Sequence, residues 1–109
     1  MNIPAQGIWI IDAEANTLYA NIAMAEILGT DISRLIGQPS FNYVYPEDSA
    51  AAQQLFDSKS RGDRAPFRFR LRRADGSPIW VNVQGTPMNN AKGGFIGIVG
   101  TFEVSDLQT

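Results

Sequence analysis

The 109-residue sequence contains no cysteine and no histidine, and these two absences remove more chemistry than any motif adds. Without thiols there is no disulfide framework. Zinc sites built from Cys or His, histidine-ligated haem, cysteine nucleophiles, and triads or proton relays that turn on an imidazole all lack the atoms that perform the reaction. Long apolar runs are missing as well: no stretch approaches the roughly 18 residues that a membrane-spanning helix needs. Met1 to Gln6 has neither the basic start nor the apolar stretch of a secretory signal. These readings point to a cytoplasmic chain without direct membrane insertion, a reading that leaves room for a membrane-anchored parent protein. Nothing resembles the Asp-rich spacing of a calcium loop. Asp12, Glu26, Glu47 and Asp48 each suit a turn, a cap or solvent, so neither a metal site nor carboxylate acid/base catalysis is expected. The chain reads as non-enzymatic.

What is present is an ordinary globular composition, 44% hydrophobic and 18% charged with 10 Gly and 6 Pro, at a length that suits one domain with one core. The net charge of −2 hides an asymmetry, because seven of the nine basic residues lie between Lys59 and Arg73. Arg68, Arg70 and Arg72 alternate with Phe67, Phe69 and Leu71. That period of two describes a strand with one apolar and one charged face. Charges on an edge strand guard against edge-to-edge pairing, so the cluster is read as structural, with no nucleic-acid partner.

Along the chain, Ile8 to Asp12 reads as a strand and Thr17 to Ala20 as a second, paired with it in a hairpin. Asn21 suits the cap of a helix over Ile22 to Leu28, closed by Gly29. A short turn over Ile32 to Ile36 follows. Pro46, Glu47 and Asp48 suit the opening of a helix running to about Ser60, with Ala50, Ala51, Leu55 and Phe56 facing inward. The period then changes to two, giving strands over Ala65 to Arg73, Ile79 to Met88 and Phe95 to Val104, with turns at Asp75-Gly76 and Gly93-Gly94. Two strands, several short helices and a three-stranded meander make an α+β domain with an antiparallel sheet and helices on one face.

In this order the pieces resemble the PAS family over Gly7 to Asp106. The matching residues are Gly7-Ile-Trp-Ile-Ile-Asp12, Ala20-Asn-Ile-Ala-Met-Ala-Glu-Ile-Leu-Gly29, Leu35-Ile-Gly37 and Val44-Tyr-Pro-Glu-Asp48. Arg72-Arg-Ala-Asp-Gly-Ser77, Trp80-Val81, Gly85-Thr-Pro87 and Gly97-Ile-Val-Gly100 complete the match. The resemblance implies a five-stranded antiparallel sheet in order 2-1-5-4-3, with helices enclosing a cavity against one face. It also implies a sensory or dimerising module of a histidine kinase, cyclic-dinucleotide enzyme, chemoreceptor or transcription factor, with catalysis in other domains. Glu103-Val104-Ser105-Asp106 is similar to the family's signal-exit stretch, though altered, and the expectation is a fragment of a longer signalling protein whose missing effector carries the output.

Strand alternation, oriented by this resemblance, assigns Trp9, Ile11, Phe67, Phe69, Leu71, Val81, Val83, Gly85, Phe95, Gly97 and Val99 to the inner face. Asn42, Tyr43 and Tyr45, with Thr101, are the polar groups that would orient a ligand there. Ile8, Ile10, Trp80, Asn82, Gln84, Ile96, Ile98 and Phe102 fall on the outer face, which is too apolar to be left in water. That face is expected to form a homodimer or to seat a flanking helix. A small-molecule ligand in the cavity and a packed, ligand-free dimerisation scaffold both fit the inner face. Among the family's cofactors, histidine-ligated haem and cysteinyl flavin or coumarate chromophores are excluded by the missing side chains, and the cofactor, if there is one, stays unspecified.

Overall fold

The first turn of the chain is set by one carboxylate. Asp12 Oδ1 accepts from the backbone N–H groups of Glu14 and Asn16 at 2.9 and 3.0 Å. This reverses the chain between β1 (Gly7–Asp12) and β2 (Thr17–Ala20) and holds Ala15 at a φ of 66°. In this computed structural model, which describes residues 6–105, the following helix is fastened by a second side chain. Asn21 Oδ1 accepts from Met24 N at the start of α1 (Ile22–Leu28) and from Ile8 N in β1, both at 2.9 Å. Gly29 closes α1 in the left-handed conformation at φ 71°.

Then come α2 (Ile32–Leu35) and two 3₁₀ turns, Ser40–Tyr43 and Pro46–Asp48. They lead into α3 (Ser49–Ser60). Pro46 and its acidic neighbours thus form a 3₁₀ turn of their own ahead of the helix. Three strands complete the chain: β3 (Phe67–Arg72), β4 (Pro78–Asn89) and β5 (Phe95–Val104). In the first meander turn, Asp75 Oδ1 accepts from Ser77 N at 2.9 Å and Ser77 Oγ at 2.6 Å. In the second, Asn90 Oδ1 accepts from Lys92 N and Gly94 N, each at 2.9 Å.

The sheet has five strands in the order β2-β1-β5-β4-β3, and each neighbouring pair is antiparallel. Every helix lies against one of its faces. The core sits between them, built from Trp9, Met24, Ile27, Leu28, Leu35, Leu71, Val81 and Val83. Among the described residues no helix is long and apolar enough to cross a membrane.

Strict alternation fails in β2, where Tyr19 and Thr17 pair with the successive Ile10 and Ile11, and in β5. Gly97 pairs with Met88 but Phe95 pairs with Asn89, so β5 advances two residues where β4 advances one. This bulge reverses the phase of everything after it. Phe95 faces α3, where its ring meets Phe56 edge-on at 5.7 Å. Beyond the bulge the inward residues are Ile98, Gly100 and Phe102, while Gly97 and Val99 belong to the outer face. The inward assignment of Gly97 and Val99 and the outward assignment of Ile98 and Phe102 are therefore both reversed. A second expectation also changes: Ala50 and Ala51 are exposed, and the inward side of α3 is Ala52, Leu55, Phe56 and Lys59.

Candidate ligand cavity and exit strand

The inward side of α3 follows the spacing i, i+3, i+4, i+7, which brings Lys59 into line with three apolar side chains. Between this side and the sheet lies a cavity of about 130 Å³. Its sheet wall is Trp9 and Ile11 of β1, Phe67, Phe69 and Leu71 of β3, Val83 and Gly85 of β4, and Ile98, Gly100 and Phe102 of β5. Ser40, Phe41 and Val44 close it from the 3₁₀ segment. The aromatic rings brace one another: Trp9 and Phe102 are 5.7 Å apart, and Phe67 and Phe69 meet edge-on at 6.5 Å.

Lys59 is 2% exposed, and its ammonium is placed by three neighbours. Lys59 Nζ donates to the Ala65 carbonyl at 2.6 Å, stands 4.0 Å from Asp63 Oδ2 and lies 5.3 Å over the Phe67 ring. Its stem runs past Gly85, where an added Cβ would come within 3.4 Å of Lys59 Cε. The room that Gly85 leaves is thus occupied by a lysine stem. Asp63 is held below the ordinary aspartate value by the backbone N–H of Ala65, then by the Ser58 hydroxyl, with the Lys59 charge adding to both.

At the other edge of the same wall the chain leaves β5. Ser105 is buried, its N–H donates to the Trp80 carbonyl at 2.8 Å, and its Oγ accepts from Arg68 Nε at 3.0 Å. The Arg68 guanidinium also covers the Trp80 ring. Glu103 and Val104 are exposed, and Asp106 lies outside the described residues. Three more arginines of this basic stretch are fasteners as well. Arg70 reaches round the sheet edge to Asp48, with bonds of 2.9 and 2.8 Å. Arg72 donates to the Asn42 carbonyl at 2.9 Å, and Arg73 to the Ile27 carbonyl at the end of α1 at 3.0 Å.

Of the residues assigned to the cavity from sequence, Trp9, Ile11, Phe67, Phe69, Val83 and Gly85 lie on its wall. Val81 is fully buried in the adjoining core. Tyr43 packs on the outer edge of Trp9 at 6.1 Å, and Asn42 is exposed, offering only its carbonyl to Arg72. Tyr45 donates its hydroxyl to the Gly76 carbonyl at 2.8 Å. Sequence reasoning missed Ser40, Phe41, Val44, Ala52, Lys59 and Gly100; Ala52 and Lys59 carried a signal, their helical spacing from Leu55 and Phe56.

The outer sheet face keeps Ile8, Ile10, Trp80, Asn82 and Gln84 from the expected set and adds Val99, Thr86, Met88 and Thr101, the last of which was expected to orient a ligand in the cavity. Ile96 sits in the bulge and is 45% exposed. Four other exposed large apolar side chains, Leu18, Tyr19, Ile22 and Ile36, lie nearer the β2 edge.

Comparison with known proteins matches this architecture. The sequence profile of the PAS fold covers residues 5–104. A protein of Sinorhizobium fredii, "Uncharacterized protein y4lL", is 30% identical over 95 residues, which are 85% of this chain and 11% of that protein's length. The PAS domain of an HTR-like protein from Haloarcula marismortui superposes with a TM-score of 0.75 at 22% identity, over 94% of this chain and 83% of that one. A domain assigned to a light and redox sensing histidine kinase of the same organism gives a TM-score of 0.73 at 24% identity, over 92% and 89%. With the profile spanning nearly the whole chain and the strand order that the matching motifs imply, the chain belongs to the PAS family.

Proposed function

We propose that this PAS domain is a signal-input module, in which the content of the cavity biases the exit strand and so regulates an attached effector. The observation that carries this reading is the double role of β3. Phe67 and Phe69 face the cavity, while Arg68 between them holds Ser105 and covers Trp80. A ligand that displaces either ring acts on the clamp through one residue of backbone. Such a ligand shifts a population only by its difference in affinity for the two arrangements. PAS domains are generally non-catalytic, and the reading assigns catalysis to an effector such as a histidine kinase or cyclic-dinucleotide enzyme. A histidine kinase is the assignment of one solved relative.

The domain is further proposed to self-associate through the outer face, where Ile8, Ile10, Val99 and Met88 form an apolar strip that is half-buried among the described residues. The competing reading is a ligand-free dimerisation scaffold. The test is native mass spectrometry of the protein from its expression host, joined to hydrogen exchange at Glu103 to Ser105 before and after removal of any retained molecule. A retained molecule whose loss speeds or slows exchange there supports the input module. A domain without a retained molecule, whose exit strand exchanges alike in all preparations, leaves the scaffold.

A further inference from the structure

The size of the cavity and the engagement of its polar groups narrow the ligand class. Its volume of about 130 Å³ is well below the roughly 300–1,000 Å³ of pockets that hold drug-sized molecules. It is close to the roughly 150 Å³ of an apolar engineered cavity that stays dry and takes up benzene. A fused three-ring flavin or a porphyrin does not fit.

Chemistry narrows it further. Among the described residues, three side chains on the wall carry a polar hydrogen-bonding group, and each is engaged with the protein. Trp9 Nε1 donates to Thr17 Oγ1 at 2.9 Å, Ser40 Oγ donates to the Ala15 carbonyl at 2.8 Å, and Lys59 Nζ donates to the Ala65 carbonyl at 2.6 Å beside Asp63. The ammonium stands at the far end of a stem laid along Gly85 and over Phe67, so it faces Ala65 and Asp63. The remainder of the lining is Phe, Leu, Ile, Val, Ala and bare glycine backbone. A carboxylate, phosphate or sugar entering this space would lose its water and meet one cationic donor, the Lys59 ammonium, already held by the Ala65 carbonyl and Asp63 at the far end of its stem, whereas an uncharged apolar ring loses nothing.

Resting on the input-module reading, we infer that the ligand class of this cavity is a neutral apolar molecule the size of one six-membered ring, held by dispersion and burial alone. The aromatic wall of Trp9, Phe67, Phe69 and Phe102 favours a planar ring.

The test uses residues 1–109 with toluene, benzoate and flavin mononucleotide as probes, read by thermal melting and by chemical-shift changes at Phe67, Phe69 and Val83. Toluene at about ten times its Kd should raise Tm by about 5 °C or more, and benzoate and the flavin should leave it unmoved. Ala52→Leu, which fills the space, should abolish the toluene shift. Leu55→Ala, which enlarges it, should extend binding to naphthalene, so the inference stays testable if the first variant does not fold. Benzoate matching toluene, or toluene leaving Tm and shifts unchanged, overturns the inference. The two readings fail separately. Toluene binding without altered exchange at Glu103 to Ser105 keeps the ligand class and removes the input module. A polar molecule retained from the host that alters exchange there keeps the module and removes this ligand class.

Discussion

The guanidinium of Arg68 lies 4.2 Å above the ring of Trp80 while its Nε bonds Ser105 Oγ at 3.0 Å. One side chain on an edge strand thereby holds the end of the last strand. Arg68→Ala should cost about 1–2 kcal/mol of stability through the lost stacking and hydrogen bond and speed amide exchange at Ser105 by about tenfold. Arg68→Lys, which lacks the planar group, should recover little of this. Unchanged exchange at Ser105 in the alanine variant would remove Arg68 as the clamp.

Gly97 is a site where added bulk meets backbone. A Cβ there would strike the Ile11 carbonyl oxygen, and the residue sits at a φ of 156°. Gly97→Leu should therefore destabilise the fold by about 2–4 kcal/mol through strain and overpacking. Because the residue is on the outer face, toluene binding per folded molecule should persist. Urea titration checks the first point, and a normal midpoint would show that the bulge relaxes freely.

Two substitutions at Lys59 separate its stem from its charge. Lys59→Met keeps the chain beside Gly85 and removes the ammonium, and should change stability by no more than about 1 kcal/mol, since a buried charge gains little beyond its own desolvation. Lys59→Ala opens extra cavity and should cost about 2–4 kcal/mol. Equal losses in the two variants would show that the charge, rather than the stem, matters.

Acid should weaken the fold in a defined window. Hydrogen bonds to Asp63 from Ala65 N–H and Ser58, and to Asp75 from the Ser77 hydroxyl and N–H, lower both values from the ordinary 3.8. A carboxyl lowered in the folded state contributes stability that is complete above its unfolded value and is lost as pH falls through its folded value. The urea midpoint should therefore hold from pH 7 to about 5 and decline below about 4. Asp63→Asn should flatten that decline, and a curve identical to the parent's would assign the acid sensitivity elsewhere.

For the outer face, Ile10→Glu places a charge in the centre of the apolar strip between Tyr19 and Val99. Any self-association through this face should weaken by tenfold or more, as measured by sedimentation equilibrium. A dimer that survives with its constant unchanged must use another surface, the Leu18, Tyr19, Ile22 and Ile36 region being the next to test.

What was legible in the sequence was whatever is decided locally. Asn21 and Gly29 bound α1 because a cap and a left-handed terminator act within a few residues, and Asp75-Gly76 makes its turn for the same reason. The family motifs supplied the strand order. The phase of β5 was illegible because the bulge is set by the register against β4, and the correct inward placement of Phe95 carried forward gave the wrong face for Gly97 through Phe102. Asn42 was misplaced because its backbone, not its amide, is used. Lys59 was overlooked because a lysine reads as solvent, although its spacing put it on the apolar side of α3.

β3 is only six residues long and hydrogen-bonds to a single neighbour, β4. A cavity enclosed by central strands would be rigid on every side. Here one wall is an edge strand, held by backbone bonds on one side only, so mechanical compliance is concentrated where the two phenylalanines face inward. Outside that wall, side-chain bonds to Ser105, Asp48 and Asn42 act as its springs. Their stiffness, more than any contact inside, sets how much movement a guest molecule can produce.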